Sequence, residues 1–445
     1  MKLSDLLHSY EPSTRSQQQA ARPGNSEDDV TRKDYMTIDR WRIAVAGVVL
    51  QIALGAVGAW SVFSVPLSKQ FGWSMSEVTL TFTICVFVLG FASFFGGLWL
   101  SRRGPRVVAT TGGLLYGAGL FLASVSNRGL GWLYFSDGVI SGIGLGFCNI
   151  VPIAVLVKWF PDRRGLMTGI AVGGFGAGAL ITAPVATLLI QTVGILRTFA
   201  YLGIAFLIVT VGCGFFMRNP PEGWKPAGWT PTVSEVSHRS ARDYSLAEAL
   251  KTWQWWALWL LLFLNTSAGI SVISLESPLF QESLGVTAVI AAGMVGITSI
   301  GNALGRVFWA WVSDFITRRG AFLAILLAQV LLFWIFPSVH SIWLLTTVAF
   351  LVLVCFGGGF GTMPAFAADY FGSKNVGPIY GLMLTAWGFA SAFGPLLVAY
   401  MRQASGNYRG ALHAIAGIVA FSMLVPIVVY PPSRTRLSEQ LAAGQ

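Results

Sequence analysis

The sequence is poor in charged residues. Of its 445 residues only 11% are Asp, Glu, Lys or Arg, whereas 54% are hydrophobic, and the mean hydropathy is +0.66. A soluble globular chain carries roughly 25% charged residues, and a soluble fold of this length still needs a polar surface. The deficit therefore argues against a soluble protein and predicts one whose outer surface is covered by the lipid bilayer.

Cysteine and histidine are also scarce, with four of each in the chain. The cysteines lie inside apolar runs without CxxC spacing, which argues against disulfides. The histidines show no ligand spacing, and there is no clustered set of His, Asp or Cys residues. A P-loop pattern is missing as well. The sequence therefore predicts no metal, no cofactor and no catalytic residues, hence a protein that is not an enzyme.

Basic residues outnumber acidic ones, giving a formal net charge of +10. This excess does not indicate nucleic-acid binding, because the basic residues occur in short clusters between apolar segments instead of along one face. The same clusters are typical of the loops of membrane proteins.

Twelve apolar segments are each long enough for a helix that crosses the hydrocarbon core, which takes about 20 residues. The chain is therefore predicted to be an all-α membrane protein. The segments lie near 43–67, 78–100, 107–125, 131–157, 166–191, 197–217, 254–280, 286–312, 321–337, 342–368, 377–401 and 409–430.

Two polar stretches and the C-terminus divide the chain. The first 40 residues hold no apolar stretch of a signal peptide, and the polar segment near 218–252 follows the sixth predicted span. The predicted regions are an N-terminal tail at 1–40, a six-helix bundle at 41–217, a central loop at 218–252, a second six-helix bundle at 253–431 and a C-terminal tail at 432–445.

The distribution of Lys and Arg among the loops predicts the orientation, because cytoplasmic loops carry an excess of both. With the N-terminus inside, the inside loops, the central loop and both tails hold most of the basic residues. The outside loops hold only Lys69, Arg128, Arg197, Arg402 and Arg409. Both termini are therefore predicted to be cytoplasmic in a plasma membrane, which we expect to be a bacterial inner membrane.

The two halves repeat short motifs at matching places. The loop after the second span begins with residues 97–106, and the loop after the eighth begins with the similar residues 310–319. Many transporters arise by such duplication and place their binding site where the repeats meet. The sequence therefore predicts two related halves around a central cavity.

Both loop motifs resemble the Gly/Asp/Gly/Arg/Arg signature of the major facilitator superfamily. The resemblance implies a twelve-helix major facilitator fold of two pseudo-symmetric six-helix halves, in which the Asp and its Arg neighbours pair across helix ends and hold the outward-open state. Ser101 replaces the Asp in the first copy, so Asp314 is the better gating candidate. The alternative is that these basic loops only fix the topology. The gating candidates are Asp314, Arg318, Arg319, Arg102 and Arg106.

A finer resemblance is to the oxalate/formate antiporter family, relatives of the monocarboxylate porters. It is carried by residues 54–63, 158–165, 244–256 and 302–314. The resemblance implies a carrier of small mono- or dicarboxylates that works by exchange or together with protons. We expect it to function as a monomer.

Arg306 is the leading candidate for substrate binding. It precedes Asp314 by eight residues, or roughly 12 Å along a helix, and a charge at such depth is a functional-site hypothesis by default. Its planar fork suits a carboxylate, and the resemblance places an anion-binding arginine here. An internal salt bridge or carbonyl clamp is the alternative. Asn302 lies one turn earlier on the same face, where monocarboxylate porters have an Asp.

The resemblance places a second cation of the oxalate-exchanging relatives at the position of Trp387. A cavity with Arg306 as its one deep cation neutralises one carboxylate, which favours monocarboxylates over oxalate. Further candidates for lining this cavity are Trp60, Phe63, Asn149, Phe175 and Phe356. For each of these, and for Trp387, helix packing is the alternative.

Asp137 and Glu276 are acidic residues inside predicted spans. Burial raises the proton affinity of a carboxyl group, so both are candidates for a proton relay. The alternative is that they lie in the outer vestibule or at the lipid–water interface.

The sequence thus predicts a secondary carrier of pyruvate, lactate, formate or a related monocarboxylate. A dicarboxylate exchanger of the oxalate/formate type, or a carrier of another organic anion, is the first alternative. A non-transporting membrane sensor on the same fold is the second.

Overall fold

The computed structural model describes residues 39–221, 224–226, 242–405 and 408–432. The predicted tails lie outside the described residues except at their inner edges, and so do residues 222–223 and 227–241 of the predicted central loop. The side chains of some further residues, Glu276 among them, also lie outside the description.

The described residues form helices and their connections, without strands. The α-helices are α1 (Arg40–Leu54), α2 (Ser61–Phe71), α3 (Met75–Arg103), α4 (Pro105–Ala123), α5 (Leu130–Leu133), α6 (Gly142–Trp159), α7 (Arg164–Val193), α8 (Ile195–Phe216), α9 (Leu246–Leu250), α10 (Trp253–Leu284), α11 (Ala288–Ile316), α12 (Arg318–Ile335), α13 (Ile342–Phe371), α14 (Val376–Met383), α15 (Thr385–Ser405), α16 (Arg409–Ser422) and α17 (Leu424–Val428).

Ten helical segments of the described residues are long and apolar enough to cross a membrane. The helix α11, with 29 residues, and the consecutive helices α14 and α15 complete the twelve predicted spans. The first span is continued from α1 to α2 by a short 3₁₀ segment, Gly55–Ala59. The fourth joins α5 to α6 through a π-helix, Tyr134–Ser141. The twelve-helix architecture predicted from the sequence is confirmed.

The two copies of the loop motif end their helices in related ways. Gly104 separates α3 from α4 with φ +80°, a conformation that glycine adopts without strain. Thr317 separates α11 from α12 with φ 72°, which is uncommon for a residue with a Cβ. Its hydroxyl accepts a hydrogen bond from the Gly320 backbone N–H at 3.2 Å. This bond caps α12 where the second copy of the motif has lost its glycine.

Small residues bring helices of the two predicted halves into contact. On one side, Gly97 of α3 lies against the backbone of Gly377 at the start of α14. On the other side, Gly165 and Gly169 of α7 lie against Ala310 of α11. A side chain at any of these glycines would force the helices apart, so the absence of a Cβ permits the close packing. Both contact regions lie toward the end that carries the repeated basic loops.

Candidate functional site

Arg306 of α11 is buried, with 6% of its surface exposed. Its Nη1 donates a hydrogen bond to the Val172 carbonyl of α7 at 3.1 Å, and its Nε donates to Asn302 Oδ1 at 3.4 Å. Among the described residues, no carboxylate lies within ion-pair distance of the guanidinium. The side chain is therefore a buried cation with neutral partners.

Aromatic rings surround this cation. The guanidinium carbon lies 5.9 Å from the ring centroid of Phe175 and 5.4 Å from that of Phe360. Trp387 closes the group, with its ring 5.9 Å from Phe175 and 5.2 Å from Phe360. Ring faces attract a cation, and they do so more strongly away from water. The three rings come from α7, α13 and α15, so the cation lies where both predicted halves meet.

Glycines of α13 allow this helix to approach Arg306. A Cβ at Gly361 would collide with the Arg306 carbonyl, and one at Gly357 would collide with the Asn302 carbonyl. The close approach brings Phe360 to the guanidinium. Phe356, one turn earlier on α13, contacts Phe360 at a centroid distance of 5.4 Å and so lies one layer behind it.

Sequence reasoning missed Phe360 and Tyr380. The position of Phe360 could have been found from Phe356, since residues four apart share a helix face. The Tyr380 side chain is buried and lies close enough to Arg306 for electrostatic interaction. It gave no signal in the sequence, because only the packing of α14 against its neighbours brings it there.

Trp60, Phe63 and Asp137 form a separate group. Phe63 stacks on Phe199 of α8 at 4.9 Å, and Trp60 lies 6.4 Å from the same ring. These side chains line a cavity of about 30 Å³ in the N-terminal bundle, together with the buried Asp137. The described contacts do not join this group to Arg306.

Asn149 is buried on α6, and its backbone carbonyl accepts a hydrogen bond from Gln51 Nε2 at 3.2 Å. No described contact joins it to Arg306. Glu276 lies on α10, but its side chain is outside the described part of the chain.

An ion-pair network joins the predicted halves at the end with the basic loops. Arg164 of α7 pairs with Asp369 of α13 at 2.9 Å, and Asp369 also pairs with Arg318 at 2.9 Å. Arg318 pairs in turn with Asp314 at 2.7 Å. Asp314 accepts hydrogen bonds from the Gly165 and Leu166 backbone N–H groups, both at 2.9 Å. The carboxylate thus lies at the N-terminus of α7, where the helix dipole favours negative charge.

The other predicted gating residues lie outside this network. Arg319 donates to the Pro426 carbonyl at 2.7 Å and the Ile427 carbonyl at 2.5 Å, and its guanidinium covers the Tyr430 ring. Arg102 is exposed and Arg106 is half-buried, and neither forms an ion pair with a described residue. Conversely, the sequence analysis did not include Arg164 and Asp369 among the gating candidates. Both lie at matching positions of the chain, in the loops after the fourth and tenth spans, and this match could have indicated them.

Two relatives are similar over most of their length. The oxalate:formate antiporter of Oxalobacter formigenes is 26% identical over 395 residues, which cover 88% of this chain and 92% of that protein. Monocarboxylate transporter 13 of Rattus norvegicus is 26% identical over 385 residues, which cover 82% of each chain.

The fold is also that of a solved structure. The transporter FucP of E. coli, crystallised in its outward conformation, superposes with a TM-score of 0.68 at 14% identity, covering 86% of this chain and 97% of that one. The sequence model of the Major Facilitator Superfamily matches residues 45–360 and 294–445. Because these matches span most of the chain, the protein belongs to the Major Facilitator Superfamily and is a multi-pass membrane transporter.

Proposed function

We propose that this transporter is a secondary carrier of small monocarboxylates and that Arg306 binds the substrate carboxylate. The observation that carries the proposal is the buried guanidinium without a carboxylate partner among the described residues. An unpaired charge inside a membrane protein is costly. A bound anion supplies the missing charge, and the fork of an arginine suits the two oxygens of a carboxylate.

The surroundings of Arg306 favour a substrate with one carboxylate and a small apolar part. Phe175, Phe360 and Trp387 present rings beside the cation, and such rings pack against a methyl group or short chain. Trp387 brings no second positive charge, so a dicarboxylate would keep one charge unneutralised. The name of one relative, a monocarboxylate transporter, agrees with this class of substrate. The name of the other, an oxalate:formate antiporter, includes the monocarboxylate formate and also the dicarboxylate oxalate.

The ion-pair network then acts as one gate of an alternating-access cycle. In this proposal residues 41–217 and 253–431 are the moving halves, and Arg164, Asp314, Arg318 and Asp369 hold their cytoplasmic ends together. Breaking these pairs exposes the site to the cytoplasm. The proposal places the protein in a bacterial inner membrane as a monomer with both termini inside.

Uptake by purified protein in proteoliposomes tests the site. We expect saturable uptake of labelled pyruvate, lactate or formate, and weak competition by oxalate. Arg306→Gln should abolish uptake, and Arg306→Lys should reduce it strongly because an ammonium lacks the bidentate fork. The matched control is Arg319→Lys, since Arg319 binds helix-end carbonyls instead. Full activity of Arg306→Gln would contradict the proposed site.

Selectivity provides a second arm of this test. Trp387→Lys adds a cation beside the same rings, so thermal stabilisation by oxalate should rise relative to stabilisation by formate, because a bound ligand stabilises by mass action. Trp387→Phe, which keeps a ring without charge, should leave the ratio near that of the wild type. An unchanged ratio in Trp387→Lys would place Trp387 outside the binding cavity.

A further inference from the structure

The cavity of the N-terminal bundle holds a carboxyl group that the proposed substrate site does not use. Asp137 has 5% of its surface exposed and lines the cavity of about 30 Å³ with Trp60, Phe63, Thr182 and Phe199. A cavity volume of ~10–15 Å³ holds one water molecule, so this cavity has room for about two.

Within the described part of the chain, no cation forms an ion pair with Asp137. The titratable side chains close enough to Asp137 for electrostatic interaction are Cys85 of α3 and Tyr116 of α4, and the Ser141 hydroxyl lies nearby on its own element. Among the described residues that line the cavity, none is Lys, Arg or His. An isolated carboxylate in an apolar environment is strongly disfavoured, so such a group takes up a proton instead.

Two further observations mark this place as more than a packing defect. Trp60 lines the same cavity and has only 8% of its surface exposed. Its indole N–H has no hydrogen-bond acceptor among the described residues. Asp137 itself lies in the π-helix Tyr134–Ser141. Such segments interrupt α-helices frequently at functional sites. An unpartnered donor and a buried acid thus share one small cavity whose lining is largely apolar.

The cavity is connected to the substrate site along α7. Thr182 lines the cavity, whereas Phe175 lies beside Arg306. Seven residues separate them, or roughly 10 Å along the helix. One segment of α7 thus borders both the cavity of Asp137 and the proposed carboxylate site, although Asp137 does not contact that site. A movement of α7 during the transport cycle would act on both places.

We propose that Asp137 is the proton-binding site that couples transport of the monocarboxylate to a proton gradient. When the cavity opens toward the outside, a carboxylate oxygen of Asp137 accepts one proton from hydronium in the external solution, which leaves water. The carboxyl group then releases this proton to water on the other side. The anion bound to Arg306 and this proton move together, so one cycle carries no net charge. The inference rests on the proposed transport of monocarboxylates and adds its driving ion.

Two assays on the same proteoliposomes test it. One measures exchange of labelled lactate for internal lactate without a gradient. The other measures accumulation driven by an inward proton gradient, with an internal pH dye reporting proton entry. Asp137→Asn should keep exchange and lose both accumulation and the proton signal. Asp137→Glu should restore both, and Glu248→Gln, on the exposed loop helix, should match the wild type.

Each outcome decides between the two proposals. Proton-driven accumulation in Asp137→Asn overturns the coupling role, as does loss of exchange together with accumulation. If Asp137→Asn does not fold, as judged by its melting curve, Asp137→Glu decides, because failure to accumulate in this folded acid variant contradicts the proposal. Wild-type exchange without proton entry overturns the coupling alone. Absence of any monocarboxylate flux in the wild type overturns the proposed function instead.

Discussion

Two arginines are buried among the described residues, and they differ in what surrounds their charge. Arg318 pairs with Asp314 and Asp369 at 2.7 and 2.9 Å. Within the described part of the chain, the hydrogen-bond acceptors of Arg306 are a carbonyl and an amide oxygen, with rings beside it. A paired buried charge serves structure, and breaking the pair is strongly destabilising. Arg306 has no carboxylate partner among the described residues, which is why we propose that the substrate anion binds there.

Asn302→Asp tests this distinction. The new carboxylate would lie where Asn302 Oδ1 now lies, 3.4 Å from the Arg306 Nε, and would compete with the substrate for the cation. Each ~1.4 kcal/mol of such competition weakens binding tenfold. Protonation removes the competing charge, so affinity should be weakest at neutral pH and recover as the pH falls.

Titration of substrate affinity against pH in the purified variant measures the effect. Asn302→Ala removes the hydrogen bond without adding charge, so its smaller loss of affinity should not depend on pH beyond the dependence of the wild type. Equal affinity of Asn302→Asp and wild type at neutral pH would contradict the predicted competition for the Arg306 cation.

At the scale of helices, the close approach of α13 to α11 sets the position of the candidate site. Gly361→Ala would drive a methyl group into the Arg306 carbonyl. Overpacking of this kind costs about 1–3 kcal/mol, so we expect a lower melting temperature and weaker substrate binding. The control is Gly293→Ala on the same helix as Arg306, where nothing lies within 4 Å of an added Cβ. Alanine there should be neutral or stabilising. Equal effects of both variants would contradict the claim that the close approach of α13 to α11 sets the position of the site.

The ion-pair network predicts which copy of the loop motif holds the halves together. Arg164→Gln removes a partner of Asp369, which lies in the other predicted half. Because Arg318 still pairs with Asp369, the cost should be below the ~3–5 kcal/mol typical of a fully broken buried pair. We expect the population with separated cytoplasmic ends to increase.

Spin labels at the exposed positions of Phe216 and Phe315, one on each predicted half, report this separation. The distance distribution should gain a longer component in Arg164→Gln. It should stay unchanged in Arg102→Gln, because Arg102 of the first motif copy is exposed and forms no ion pair with a described residue. The opposite pattern would assign the gate to the first copy.

These elements also show what the sequence can predict. Each of the twelve spans was predictable because an uninterrupted apolar run of about 20 residues has few alternatives to a membrane helix. The burial of Arg306 was predictable because a charge inside such a run is rare, whereas its role in substrate binding stays a prediction. Phe360 and Asp369 were missed, although Phe356 and the matching loop positions pointed to them. Tyr380 was not predictable, because only the packing of α14 brings it near Arg306.

For the whole molecule, the charges of the loops predict the direction of insertion into the membrane. The basic residues of the repeated loops predict that Gly104 and Thr317 face the cytoplasm, whereas Asn127 and Gly285 face the outside. Alkaline phosphatase needs disulfides and so folds only in an oxidising compartment such as the periplasm. Fusions made after Asn127 and Gly285 should therefore be active and those after Gly104 and Thr317 inactive. The reverse pattern would make the ion-pair network of Asp369 the outer gate. It would also reverse the side of the membrane from which substrate reaches Arg306 when this network breaks.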